Sequence, residues 1–337
     1  MARSRPRVAA SSTTASSMIC GVRTKVCSSC ICGVLDFGRS SNRRRRGVAR
    51  RVSAAGMMRR GIAWIAGLAG QSVAHHPQVL QEPTPLSASR WFIRPVPRPL
   101  AEVRLICLPY AGGSAAIYMP WASSLPDSVE LVCAQPPGRS SRMGEAAHAT
   151  MDAMVADFAT AFAGLRDKPY VLFGHSLGSR VAYAFARQCA VLGVPGPVHL
   201  IASGSRAPHV QSTRTSIHDL PKDEFVAKLR ELDGTPEEIL ENAELLDLLI
   251  PLLRADFRIA DMYRAAVRPL ECPLTVLAGV DDHEVAAVDV DAWAELTTAG
   301  CDVHWLPGGH FFINEHRAAV LARVNQVIGR ATGSLIA

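Results

Sequence analysis

The chain has 337 residues, 48% of them apolar, enough for a well-buried core and for one large or two ordinary domains. Its formal net charge of +6 is unevenly placed: residues 1–89 hold 14 of the 36 Lys and Arg but only two of the 30 acids, Asp36 and Glu82. That stretch is net +12 and the remainder net −6, so overall charge makes no case for a nucleic-acid partner.

Residues 1–89 are rich in Ser, Arg, Ala and Gly, include an Arg run at 43–46, and show no sustained periodicity. Such a composition cannot bury enough apolar surface to offset its ordering entropy, and it reads as a disordered basic extension. It also reads as a targeting segment, or as upstream sequence wrongly included in the reading frame, with Met57 and Met58 as alternative starts. The frame artefact and the basic arm are favoured. The apolar stretch 61–70 after Arg59-Arg60 resembles a signal core, but it is short and far from the N-terminus, which argues against secretion. Cys27-x-x-Cys30-x-Cys32 is followed by no second ligand cluster, and His75-His76 stands apart, so no metal is expected. Cys107, Cys133, Cys189, Cys272 and Cys301 lie in or beside apolar runs and read as reduced core cysteines of a cytoplasmic protein. No apolar run reaches the roughly 18 residues that a membrane span needs.

From residue 103 the sequence alternates between strand and helix. Val103–Leu108 (VRLICL) reads as a buried strand ended by Pro109, and 130–134 (ELVCA) as a second, ended by Pro136-Pro137-Gly138. Residues 151–165 have helical spacing, 170–173 (YVLF) reads as a strand, and Leu177–Leu192 as a helix that Gly193 stops. Strands follow at 198–202, 274–278 and, more weakly, 303–306, with a last amphipathic helix at 315–329. Residues 219–264 hold Leu and Phe at helical spacing without a strand signal; Asp219 and Thr235 are the expected caps of two helices divided at Gly234-Thr235-Pro236. The pattern predicts an α/β fold with a mostly parallel, doubly wound sheet spanning residues 90–331, and a helical lid inserted at about 205–268.

Gly174-His175-Ser176-Leu177-Gly178 follows a strand and opens a helix. A sharp turn there presents Ser176 as a nucleophile and requires small residues two positions to either side. A serine hydroxyl needs a base, and the base needs an orienting acid. The chain order on such a fold is Ser, acid, His. Asp281 and Asp282 follow the 274–278 strand, and either could be the acid. His310 follows Pro307-Gly308-Gly309 and is the expected base; His175 more plausibly supports the turn, while His283, His304 and His316 have no loop to bring them to the serine. The oxyanion formed in acyl transfer needs two amide donors, expected from Leu177 and, in the loop Pro109-Tyr110-Ala111-Gly112-Gly113-Ser114, from Ala111.

Residues 90–330 resemble the type II thioesterases that accompany nonribosomal peptide and polyketide synthases, members of the α/β-hydrolase superfamily. The resemblance rests on the segment 108–114, on Gln135-Pro136-Pro137-Gly138-Arg139, on the Gly174–Gly178 pentapeptide, on Pro251-Leu252-Leu253-Arg254-Ala255-Asp256-Phe257, and on Pro307-Gly308-Gly309-His310-Phe311-Phe312. It implies an editing hydrolase that removes acyl groups from the phosphopantetheine arm of an acyl or peptidyl carrier protein. It implies no cofactor, no metal, no membrane and a monomeric state. It also places the acid at Asp282, although His283 stands where the family carries Pro; Ser179 stands where Ala is common, read as a harmless exchange. A medium-chain fatty-acyl thioesterase, a carboxylesterase or lipase on the same triad, and a non-catalytic hydrolase-like binding module are the competing expectations.

Overall fold

The computed structural model describes residues 90–212 and 214–336; the cysteine cluster, the Arg run and the 61–70 stretch of the N-terminal segment lie outside them. Seven strands form one sheet: β1 (Phe92–Ile93), β2 (Val103–Leu108), β3 (Val129–Ala134), β4 (Tyr170–His175), β5 (His199–Ser203), β6 (Leu274–Gly279) and β7 (Cys301–Leu306). Their order is β1-β3-β2-β4-β5-β6-β7. Only β1 is antiparallel, pairing Phe92 with Ala134 and Ile93 with Cys133; every other neighbour pair is parallel. Two residues carry no readable period, which is why β1 leaves no signal in the sequence.

The helices are α1 (Met151–Phe162), α2 (Leu177–Leu192), α3 (Lys222–Glu231), α4 (Glu237–Leu240), α5 (Ala243–Met262), α6 (Ala287–Asp291), α7 (Phe312–Glu315) and α8 (Arg317–Ile336). Alternation along the strands sends side chains to both faces. Ile106, Leu108, Val132 and Leu172 pack with Phe158, Phe162 and Phe185 of α1 and α2. Leu105, Cys107, Leu131, Val171 and Phe173 pack with Trp121 and with Val320, Val324 and Val327 of α8. A sheet covered on both faces explains strands that read as continuous apolar runs. The two charges within those runs are buried and paired: Arg104 on β2 donates to Glu130 on β3 at 2.9 Å and to Asp167 at 2.5 Å.

Between β5 and β6 the chain leaves the sheet and forms α3, α4 and α5, which share a core built on Phe225, Leu229, Leu246, Leu249, Leu252 and Leu253. Neither expected cap holds. Pro221 is the N-cap of α3 and Pro236 that of α4, with no side-chain cap at either; Asp219 instead meets His218 Nε2 at 3.0 Å. Acids in the first turns, Asp223 and Glu224 in α3 and Glu237 and Glu238 in α4, suit the exposed amides of those helix ends. Of these three helices, only α5 has a side-chain cap, where Asn242 Oδ1 accepts from Leu245 N at 3.1 Å. Among the described residues no helix is long and apolar enough to cross a membrane.

Candidate active site

Strand β4 ends at His175 and helix α2 begins at Leu177, leaving Ser176 alone to make the turn. Its backbone sits at φ 53°, ψ −116°, a strained conformation that costs about 1–3 kcal/mol and persists only where the surroundings enforce it. A Cβ on Gly174 would lie 2.3 Å from the Gly178 carbonyl, and one on Gly178 would lie 2.2 Å from Leu108 O. Both glycines are therefore fixed by backbone contact. The turn is tied to β5 as well. Ser176 N donates to Ser203 O at 2.8 Å, and the buried Ser179 hydroxyl lies 2.8 Å from Gly174 O and accepts from Ser203 N at 3.0 Å. Ser179 is thus a tie between β4, α2 and β5 that Ala could not make; the sequence held no sign of it beyond its departure from the common residue.

His310 follows β7 across Pro307, Gly308 and Gly309, with Gly308 at φ +100°. Its Nε2 lies 3.1 Å from Ser176 Oγ and its Nδ1 lies 2.9 Å from Asp282 Oδ2. An ionised carboxylate only accepts, so Nδ1 carries the proton and Nε2 is free to accept from the serine hydroxyl. The Asp282 side chain is only 2% exposed, and its Oδ1 accepts from Glu284 N at 2.8 Å. That local turn holds the carboxylate in place with His283 in the Pro position. Asp281 is exposed; its backbone N donates to Gly308 O at 3.1 Å and so links the loop carrying Asp282 to the loop carrying His310.

His175 is completely buried beneath this assembly. Its Nε2 donates to His310 O at 3.0 Å, so its Nδ1 accepts from the Ser203 hydroxyl at 2.9 Å. Burial, reinforced by the nearby His310, holds its pKa well below the ordinary histidine value, so it is neutral. It supports the loop carrying His310 as well as the turn at Ser176.

The chain around Ala111 forms a tight turn. Gly113 N donates to Tyr110 O at 2.9 Å, and Gly112, third in that turn, has φ +74°, the left-handed conformation a type II turn needs at that place. Gly112 N is engaged by Asp256 Oδ2 at 2.7 Å. Among the described residues no group accepts from the amide of Ala111 or of Leu177. Beside the turn an apolar cleft runs under the helical insert, lined by Ala111, Gly112, Met143, Leu249, Leu252 and Leu253. The sequence alternation, the elbow and the three aligned side chains are those of a serine hydrolase.

Residues 103–328 match the family model of the thioesterase domain. The chain belongs to the thioesterase family. It is 37% identical over 249 residues to "Linear gramicidin dehydrogenase LgrE" of Brevibacillus parabrevis, covering 73% of this chain and 95% of that one. It is 35% identical over 230 residues to "Gramicidin S biosynthesis protein GrsT" of Aneurinibacillus migulanus, covering 68% and 90%. Among solved structures it is similar to the type II thioesterase BorB from the borrelidin biosynthetic cluster, with TM-score 0.64, 36% identity, and coverage of 70% of this chain and 96% of that one.

In this thioesterase the segments that carried the resemblance meet at one place. Arg139, after β3, donates to Asp256 of α5 from Nη1 at 2.7 Å and from Nη2 at 3.0 Å, and Nη1 also reaches Gly113 O at 3.2 Å. Both charged side chains are buried. Sequence reading did not foresee this pair. The available signal was Asp256 itself: a carboxylate at helical spacing within the apolar stripe of Leu246, Leu249, Leu253 and Ile259.

Proposed function

We propose that this thioesterase hydrolyses acyl thioesters held on the phosphopantetheine arm of carrier proteins, editing wrong or stalled acyl groups in nonribosomal peptide or polyketide assembly. Ser176 is the nucleophile, His310 the base and Asp282 the orienting acid. Ser176 Oγ attacks the thioester carbonyl as His310 Nε2 takes its proton, and Asp282 stabilises the imidazolium so formed. The amides of Leu177 and Ala111 hold the oxyanion, aided by the N-terminus of α2. Collapse breaks the C–S bond, and the sulfur, an easy leaving group because free thiols ionise near pH 8.5, takes the proton from the His310 imidazolium and departs as thiol, leaving His310 neutral. Water, deprotonated by His310, then attacks the acyl-enzyme and releases the acid with Ser176 restored. The insert of α3, α4 and α5 is a lid, and the apolar cleft beneath it receives the acyl chain.

The observation that carries this reading is the Oγ–Nε2–Nδ1–Oδ2 chain, 3.1 and 2.9 Å long, in a chain of the thioesterase family. One relative's name speaks of dehydrogenation, but the first strand-to-helix connection here reads Pro109-Tyr110-Ala111-Gly112-Gly113-Ser114, without the Gly-x-Gly-x-x-Gly of a dinucleotide site. Buried, unpaired Cys107, Cys133 and Cys189 suit a reducing compartment, and the reading includes a monomer working in the cytoplasm. The test is deacylation of an acyl carrier protein, run beside an alkyl ester of the same chain. Carrier deacylation is expected to dominate and to vanish in Ser176→Ala, whose melting curve stays that of the parent. Turnover surviving in that variant, or a preference for the alkyl ester, refutes the reading.

A further inference from the structure

Among the described residues, Asp256 is the one fully buried carboxylate whose partners lie on two loops at the site. Its Oδ2 accepts from both Gly112 N and Arg139 Nη1, each at 2.7 Å, and its Oδ1 accepts from Arg139 Nη2 at 3.0 Å. Arg139 in turn reaches back to Pro137 O at 3.1 Å and Gly113 O at 3.2 Å. As a brace alone this arrangement is poorly chosen. Desolvation removes much of what a buried ion pair gains, and apolar side chains of similar volume hold helices together as well. Apolar side chains cannot accept from the Gly112 amide. That amide belongs to the peptide joining Ala111 to Gly112, the central peptide of the Tyr110–Gly113 turn. Fixing that peptide fixes the orientation of Ala111, whose own N–H donates to no acceptor among the described residues.

We infer that Asp256 is a positioning residue for the oxyanion hole: through it, helix α5 of the insert sets the turn that aims the Ala111 amide. The far end of α5 is held to the body of the protein, since Arg180 of α2 donates to Ala260 O. Lid and oxyanion hole then assemble as one unit, and a displaced α5 leaves the site without a correctly aimed donor. The inference rests on the donor role proposed for Ala111.

The test uses the full chain and two substitutions. Asp256→Ala removes every acceptor; Asp256→Asn keeps one carbonyl oxygen for Gly112. Two rates are measured per folded molecule: hydrolysis of S-acetyl-N-acetylcysteamine, too small to need the lid for binding, and labelling of Ser176 by a fluorophosphonate. Loss of a positioned oxyanion donor predicts a fall of about 100-fold in kcat for Asp256→Ala, with KM within about twofold, and a smaller fall of about tenfold for Asp256→Asn. Labelling should fall in the same order, because the phosphoryl oxygen uses the same amides. Wild-type kcat and labelling in the substituted proteins, or a rise in KM alone, overturns the inference and leaves Asp256 a brace. If Asp256→Ala does not fold, Asp256→Asn decides by the same criteria. A parent protein that labels at Ser176 yet hydrolyses no thioester refutes the thioesterase reading instead, and the labelling series still decides the role of Asp256.

Discussion

Ser176 holds a backbone conformation that almost any other setting would relax, and the residues that prevent relaxation are small or buried: Gly174, Gly178, Ser179 and His175. The same burial that makes His175 a fixed support makes it a liability in acid. Burial depresses its pKa well below the ordinary value, and His199 is likewise pushed down, to about 4. In the unfolded chain both histidines take up a proton near pH 6.5, while the folded forms do not. Protonation therefore favours unfolding: the stability is complete above about pH 6.5 and is lost as pH falls toward 4, by at most about 1.4 kcal/mol per pH unit for each group. Thermal melts at pH 7.5 and pH 5.0 should show His199→Gln losing less on acidification than the parent; equal losses would remove His199 from the account.

Among the elements, the helical insert presents two sets of residues to the site. Asp256 faces the body of the site, whereas Leu249, Leu252 and Leu253 face the cleft. A further contact links the insert to His310: a Cβ on Gly234, between α3 and α4, would lie 2.4 Å from the Phe311 ring, and Phe311 packs edge-on against His310. Substitutions within the cleft should therefore alter which acyl chains enter without touching the chemistry. Leu249→Trp is expected to lower kcat/KM for an octanoyl thioester by about tenfold or more, since one or two methylenes of lost room are worth that much. The acetyl thioester should stay within about twofold of the parent. A parallel loss on both substrates, measured on carrier-bound or N-acetylcysteamine thioesters, would assign Leu249 to the catalytic geometry rather than to selection.

For the molecule as a whole, the charge asymmetry divides the chain where the described fold begins: a net +12 stretch up to residue 89, then a net −6 remainder. The first element, β1, pairs with β3 within residues 90–134, and the family match opens at residue 103. We accordingly expect a protein beginning at residue 90 to keep its melting temperature within a few degrees and its thioester hydrolysis within about twofold. A drop beyond that, measured side by side with the full chain, would make residues 1–89 part of the working enzyme.

Period and punctuation in the sequence determined the alternating strands and helices and the elbow at Ser176, because each depends on neighbours within a few residues. Short-range signals also named Asp281 and Asp282 together and went no further: both follow β6, and only the packed loops turn Asp282 inward to His310 and leave Asp281 exposed. The expected caps of α3 and α4 were missed because each helix begins directly after a proline, Pro221 and Pro236, and Asp219 meets its neighbour His218 instead. The antiparallel edge strand β1, the seating of His175 under the base loop, the Ser179 tie and the Arg139–Asp256 link were decided by tertiary structure alone. Each joins segments separated along the chain, by up to 135 residues for His175 and His310. A buried polar group must find its partner wherever the fold brings one, and sequence spacing carries no record of that choice.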